Sequence, residues 1–67
     1  MITIEFNGLV EHLNSNANLL QLIDLKNLNP KSLALVLNDQ VVPRSRWGQI
    51  ECQQSDKIDV FSAVAGG

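Results

Sequence analysis

MITIEFNGLVEHL, residues 1–13, has the pattern of a β-hairpin. Apolar and polar residues alternate over Ile2–Phe6, which is the period of a strand with one buried face. Asn7 and Gly8 come next, and because both residue types tolerate positive φ, the pair is a strong signal for a type I′ turn. We therefore expect Leu9–Leu13 to return antiparallel to the first strand.

A short helix is predicted after the hairpin, over residues 17–26. The polar run at residues 14–18 can supply a helix N-cap, and leucine and isoleucine then recur at helical spacing. A helix of this length is not stable in isolation, so its apolar face must pack on a sheet. Asn29 and Pro30 end the pattern, since proline lacks the backbone donor and restricts the residue before it.

The second half of the chain contains further strands. Leu33–Leu37 is apolar on both faces, which favours a central strand whose second face is not polar. Val41 and Val42 lead into Pro43, as at an edge or at the end of a short strand, and residues 44–48 form a loop or a single helical turn.

A last strand is predicted over residues 57–64. In it Ile58 and Val60 alternate with Phe61, which falls on the opposite face. Strands, helix and strands in this order indicate an α+β domain, in which one helix covers one side of a mixed sheet and the first and last strands are neighbours.

Composition limits the classes of function. The chain has 67 residues, 18% charged and 45% hydrophobic, which is the balance of one small globular domain. The chain has five Lys and Arg and seven Asp and Glu, a net charge of −2, which argues against nucleic acid as the main partner. The longest apolar run, Leu33–Leu37, is far too short to span a membrane. Residues 1–6 lack the basic-then-apolar layout of a secretory signal, so we expect a cytoplasmic protein.

The sequence offers no arrangement of residues for catalysis or metal binding. We find no paired carboxylates, no Ser-His-Asp set, no metal-ligand spacing and no glycine-rich phosphate loop in the sequence. His12 has no second histidine or nucleophile nearby, and Cys52 has no close cation that would lower its pKa, so both are interpreted as structural. An enzyme acting alone is therefore not expected.

The residues Ala65, Gly66 and Gly67 are the most unusual feature of the sequence. Without side chains beyond Cβ, such a segment can enter a narrow channel, and in extended form the residues from Val64 to Gly67 reach about 13 Å from the domain. The carboxylate of Gly67 would then be the reacting group, after a partner has converted it to a mixed anhydride such as an acyl-adenylate. The alternative is an ordinary frayed terminus.

Three features of the sequence occur together: the hairpin at Asn7-Gly8, Val42-Pro43-Arg44 followed by Trp47, and the ending Ala63-Val64-Ala65-Gly66-Gly67. Over the whole chain these features resemble the ThiS family of thiamine-biosynthesis sulfur carriers. The Val-Pro-Arg-x-x-Trp pattern is the narrower signal, because ubiquitin-like modifiers and the small subunit of molybdopterin synthase also end in Gly-Gly. Ser55 is a departure, since many relatives have glycine in the turn before the last strand, and this leaves the turn type open.

The resemblance implies a β-grasp (ubiquitin-like) fold, with four to five strands and one main helix, in residues 1–64, and a flexible tail in residues 65–67. It also implies that a ThiF-type adenylyltransferase uses ATP and magnesium to adenylate Gly67. Sulfur from a desulfurase-derived persulfide then displaces AMP, and the resulting thiocarboxylate supplies thiazole synthase. The protein is a co-substrate in this cycle, and no cofactor is expected to stay bound to it.

A partner surface is predicted on the sheet face opposite the helix. If Ile58, Val60 and Val64 face the core, an apolar patch is left on the other side, and such patches often mark partner sites. We expect the patch to dock the activating enzyme; the alternatives are a homodimer or a loop folded over the patch. Its residues are Phe61, Ala63, Ala34 and Val36.

Two other functions stay open from the sequence. The same carrier chemistry could serve another recipient, such as molybdopterin synthesis, cysteine synthesis or lysine conjugation, and Gly67 alone does not choose among them. The chain could also be a noncovalent ubiquitin-like binding module, for which the two terminal glycines would be incidental.

Overall fold

The structure is a computed structural model that describes residues 1–62. The elements in chain order are β1 (Ile2–Phe6), β2 (Leu9–Leu13), α1 (Leu19–Leu25), the 3₁₀ helix η1 (Pro30–Ser32), β3 (Leu33–Leu37), β4 (Gln40–Val42), the 3₁₀ helix η2 (Arg44–Gln49) and β5 (Lys57–Ser62).

The five strands form one mixed sheet in the order β2-β1-β5-β3-β4. β1 and β5 are neighbours, as the sequence predicted, and they pair parallel, whereas the other pairs are antiparallel. β3 is an interior strand as expected, although the middle of the sheet is β5. β5 lies between the hairpins β1–β2 and β3–β4 and pairs parallel with β1, and one helix covers one face; this is the β-grasp arrangement.

The first hairpin is confirmed in detail. β1 and β2 pair antiparallel from Ile2 opposite Leu13 to Phe6 opposite Leu9. Asn7 and Gly8 have φ of +51° and +84°, which are the two positive values that a type I′ turn needs.

The helix is shorter than the predicted 17–26. Asn18 is its N-cap, in extended conformation, and its side-chain oxygen accepts from the backbone N–H of Gln21, whose own side chain accepts from the N–H of Asn18. Ala17 therefore precedes the helix, and its carbonyl accepts from Cys52 instead. At the other end Lys26 is the C-cap, and Asn27 follows with φ of +57°.

The core lies between α1 and the sheet. Leu19, Leu22 and Ile23 are fully buried and pack with the inward side chains of the strands. Trp47 in η2 is 1% exposed and belongs to the same cluster, while its indole Nε1 donates to the carbonyl of Val42 at 2.8 Å. Trp47 is thus part of the core, with its one polar atom hydrogen-bonded.

The remaining predictions for the second half also agree with the structure where it describes the chain. β4 is a three-residue edge strand that stops before Pro43, and the loop or turn expected at residues 44–48 is η2. The last strand was predicted over residues 57–64 and is described to Ser62. Its last two residues lie outside the described range, as does the predicted domain boundary between residues 64 and 65.

None of the helices in residues 1–62 has the length and apolar character required to cross a lipid bilayer.

Candidate functional site

The helix covers one face of the sheet and leaves the other face open. On β5 the alternation predicted from the sequence is present: Ile58 and Val60 are buried, and Phe61 lies on the open face with 54% of its surface exposed. A half-exposed phenylalanine in a regular strand is not needed for the core, so it is available for another contact.

β3 places two small apolar side chains beside Phe61. Ala34 pairs directly with Phe61, and Val36 pairs with Asp59 on the same face, while Leu35 between them is fully buried in the core. Ala34 and Val36 are half-buried. The structure therefore brings together three of the four residues predicted for the patch; the fourth, Ala63, lies outside the described residues.

Val41 belongs to the same surface and was missed from the sequence. It pairs with Val36 across β3 and β4 and is 74% exposed, whereas Val42 packs against the core. The signal that could have identified Val41 was the alternation of faces within β4. Because Val42 faces the core, Val41 must face outward. We call Phe61, Ala34, Val36 and Val41 the open-face patch.

Charged side chains bound the open-face patch on the side of β1. Asp59 is half-buried on β5, opposite Val36 and two residues before Phe61. Beyond it Lys57 on β5 is the register partner of Glu5 on β1. An apolar centre with a charged border is the usual composition of a protein-protein contact.

The hairpin turn holds β5 in position. The side-chain oxygen of Asn7 accepts from the backbone N–H of Val60 at 2.8 Å, and the N–H of Asn7 donates to the carbonyl of Ile58 at 2.9 Å. Regular pairing between β1 and β5 covers only Glu5 with Lys57 and Phe6 with Ile58. Asn7 therefore extends the attachment of β5 toward Phe61, beyond the end of β1.

A polar cluster fixes the start of β5. The buried carboxylate of Asp56 accepts from Asn38 Nδ2 at 3.0 Å and from the N–H of Gln53 at 2.7 Å. Asn38 Oδ1 in turn accepts from the N–H of Lys57 at 2.9 Å. The two turns that precede β4 and β5 are thereby tied together at one end of the sheet.

Ser55, the departure from the family pattern, adopts φ of +71°. The turn thus has the left-handed conformation for which glycine is favoured, and serine occupies it at some cost. Its N–H donates to the carbonyl of Thr3 at 2.8 Å, which keeps the turn attached to β1. Ser55 therefore occupies the left-handed region without being glycine.

Cys52 and His12 lie where an interpretation as structural residues places them. Cys52 is 1% exposed; burial, and to a lesser degree the charge of Asp56, raise the pKa of its thiol to about 11, so the thiol stays protonated near neutral pH. His12 Nδ1 lies 3.1 Å from Thr3 Oγ1 on the open face. Within residues 1–62 no three His, Cys, Asp or Glu side chains are close enough to hold a metal ion.

The predicted reacting segment, Ala65, Gly66 and Gly67, lies outside the described residues. The described part of β5 ends at Ser62, opposite Leu33. For this site the structure therefore describes β5, the strand that precedes the reacting segment in the chain, and the open-face patch that includes Phe61 of that strand.

Comparison with known proteins decides the family. The model of the ThiS family matches residues 3–67, nearly the whole chain and including the terminal glycines. The chain belongs to the ThiS family. The resemblance inferred from the hairpin, the Val-Pro-Arg-x-x-Trp pattern and the last five residues is confirmed.

Two ThiS relatives support the assignment. The sulfur carrier protein ThiS of Escherichia coli (strain K12) is 47% identical over 34 residues, an alignment that spans 51% of this chain and about half, 52%, of the length of that relative. A crystal structure of the thiamine biosynthesis protein ThiS from Geobacter metallireducens superposes with a TM-score of 0.84. That match covers 98% of this chain and 100% of the other at 19% identity, so it confirms the fold.

Proposed function

We propose that this ThiS-family chain is a sulfur carrier for the thiazole branch of thiamine biosynthesis, with Gly67 as the carrying residue. The observation that carries the proposal is the family match, which runs through residue 67 and so includes Gly66 and Gly67. The name of the E. coli relative, a sulfur carrier protein, supports the same activity.

The proposed cycle begins with activation of the Gly67 carboxylate. A carboxylate is a poor electrophile, so a carboxylate oxygen attacks the α-phosphorus of ATP in a ThiF-type adenylyltransferase, with magnesium, and pyrophosphate leaves. The terminal sulfur of a desulfurase-derived persulfide then attacks the carbonyl carbon and displaces AMP. A thiol cleaves the resulting S–S bond, which leaves a thiocarboxylate on Gly67 and a disulfide between the thiol and the former persulfide sulfur. Thiazole synthase is the proposed recipient.

In this proposal the folded domain is a co-substrate. Four of its titratable residues are engaged in the fold: Asp56 is held in a hydrogen-bonded cluster, Cys52 is buried and protonated, and Lys26 forms an ion pair with Glu11. The chemistry is accordingly assigned to the partners, which also use the ATP and magnesium, and the ATP requirement fits a cytoplasmic location.

We further propose that the open-face patch docks the adenylyltransferase. It lies on β5, β3 and β4, and Phe61 on β5 comes shortly before the segment that must enter the active site of that enzyme. Docking through Phe61 would hold the domain while the last residues reach inward, which reduces the entropy that their positioning costs.

Extension of the C-terminus tests the function. One residue added after Gly67 should abolish adenylation and sulfur loading, because the reacting carboxylate would no longer be that of glycine or lie at the right depth. One residue added before Met1 is the matched control and should load normally. The readout is intact mass after incubation with the adenylyltransferase, ATP and a persulfide donor, where loading adds the mass of sulfur minus oxygen. Sulfur loading of the C-terminally extended chain would contradict the proposal, whereas docking of that chain without loading is expected.

A further inference from the structure

The pairing between β1 and β5 ends where β1 reaches its hairpin turn. The last register pair joins Phe6 to Ile58, although β5 continues to Ser62. On its other side β5 pairs with β3 as far as Ser62. Within the described residues, the second half of β5, which carries Phe61, is therefore paired with a strand on one side.

Asn7 takes the place of a strand on the other side. Its N–H donates to the carbonyl of Ile58 at 2.9 Å, and its side-chain Oδ1 accepts from the N–H of Val60 at 2.8 Å. Val60 is buried and directly precedes Phe61. Because a buried N–H without an acceptor costs free energy, the Asn7 side chain fixes β5 one residue before Phe61.

This contact places two requirements on the residue at position 7. The φ of +51° requires a residue that tolerates the left-handed region, and the bond to Val60 requires a short side chain with an acceptor. Glycine meets the first requirement alone, whereas asparagine and aspartate meet both. The sequence signal for the turn, Asn-Gly, thus contains a second property that the turn itself does not need.

The second hairpin uses an asparagine in the same way. Asn38 is the first residue of the turn between β3 and β4 and has φ of +50°. Its N–H donates to the carbonyl of Lys57 at 2.8 Å, and its Oδ1 accepts from the N–H of Lys57 at 2.9 Å. The two asparagines therefore hold β5 from opposite sides, Asn38 at the first residue of the strand and Asn7 beside Phe61.

We propose that Asn7 is a positioning residue for docking: through Val60 it holds Phe61 in the orientation in which the open-face patch meets the adenylyltransferase. This inference rests on the proposed function, which supplies that enzyme. Phe61 pairs with Ala34 on one side of β5 while Asn7 holds Val60 on the other, so the segment is fixed from both sides. Without the Asn7 bond the fraction of molecules ready to dock falls, and the apparent affinity falls with it.

Asn7→Gly tests the inference, because glycine keeps the left-handed turn and removes the side-chain acceptor. By NMR, hydrogen exchange of the Val60 N–H relative to that of Ile58 should become about fivefold faster or more, the factor that one net hydrogen bond gives. In adenylation assays with a purified ThiF-type adenylyltransferase, the KM for the full chain should rise about fivefold, while kcat changes by less than about twofold.

Two variants serve as controls. Asn18→Ala also removes a side-chain acceptor from a backbone N–H, that of Gln21 at 2.8 Å, but at the start of the helix on the other face of the sheet. It should leave the KM and the exchange ratio within about twofold of the wild type. Asn7→Asp keeps the acceptor and tolerates the φ, so it should restore both values when compared with the wild type at high ionic strength, which screens the added charge.

Four results would overturn the inference. Folded Asn7→Gly with an unchanged KM would show that docking does not depend on the bond, and an equal rise in Asn18→Ala would assign the loss to stability. A fall in kcat at constant KM would place Asn7 in the reaction step. A raised KM in Asn7→Gly alongside a normal KM in Phe61→Asp would mean that the effect does not pass through Phe61.

Two measurements do not depend on the folding of Asn7→Gly. Exchange of the wild-type Val60 N–H as fast as that of an unprotected amide would show that the bond is absent, and slow exchange is expected. Asn7→Asp with a raised KM at high ionic strength would mean that the side-chain oxygen is not the group that matters. Either result would also overturn the inference.

Failure of the inference and failure of the proposed function give different results. If the wild type is adenylated and loads sulfur while Asn7→Gly has the same KM, only the role of Asn7 is wrong. If the wild type neither binds the adenylyltransferase nor loads sulfur, the proposed function is wrong, and the role of Asn7 in docking falls with it.

Discussion

Replacement of Phe61 by aspartate tests the docking surface most directly. A phenylalanine presents about 200 Å² of surface, so at 54% exposure about 100 Å² remains to be buried by a partner. At about 25 cal/mol per Å², full burial of that area contributes about 2.5 kcal/mol to association. Phe61→Asp should thus raise the Kd for the adenylyltransferase by about 70-fold or more, since it also places a second carboxylate near Asp59.

The fold should survive this substitution. Phe61 points away from the core, and its backbone pairing with Ala34 does not depend on the side chain. Leu25→Asp is the matched control, because Leu25 is 67% exposed on the helix, across the domain from the patch, and undergoes the same change from apolar to acidic. Kd is measured by calorimetric titration, and folding by the fluorescence of the single tryptophan during urea denaturation.

Two results would refute the reasoning. If Phe61→Asp is folded and binds with unchanged Kd, the open-face patch is not the docking surface. If Leu25→Asp weakens binding as strongly as Phe61→Asp, the loss reflects added negative charge and not the position of the side chain.

Three further predictions concern the stability of the domain. Asp56→Ala leaves the donors of Asn38 and Gln53 without their acceptor in a buried site, so the free energy of unfolding should fall by about 2 kcal/mol in urea denaturation; an unchanged value would contradict those hydrogen bonds. The pKa of Cys52 is raised from 9.0 to about 11, so the unfolded thiol ionises first: the associated stability is present below pH 9 and about 2 kcal/mol of it is lost as the pH rises to about 11. Cys52→Ala should remove this pH dependence, and an identical slope in both proteins would refute the assignment. Ser55→Gly should raise the thermal midpoint, with a gain of up to about 1 kcal/mol, because glycine tolerates the φ of +71° that serine adopts; a lower midpoint would mean that the serine side chain contributes more than the strain costs.

Local chemistry made much of the fold predictable. Asn7-Gly8 specifies its turn because the conformation depends on the two residues themselves, and the alternation of Ile58, Val60 and Phe61 assigns the two faces of β5 before any partner strand is known. The predicted ends of the helix were less accurate. Asn18 caps only because its side chain and that of Gln21 meet reciprocally, and several neighbouring polar residues offered the same signal.

The sequence predicted an apolar patch on the open face of the sheet, but it predicted only some of the residues that form the patch. Phe61, Ala34 and Val36 follow from the period of two within each strand, whereas Val41 joins them only through its register opposite Val36. Whether the open-face patch and the last three residues act together stays a prediction for the experiments above.

The amino-acid sequence by itself determined the elements, the faces of the strands and the resemblance to the ThiS family, because turn chemistry, periodicity and short motifs act over a few neighbouring residues. Only the tertiary structure decided the complete strand order, with β5 between β1 and β3, that Asn7 reaches across to β5, and that Asn38 meets Asp56 at the start of β5. These contacts join residues far apart in the chain. They are selected by the burial of one shared core, which no local pattern encodes.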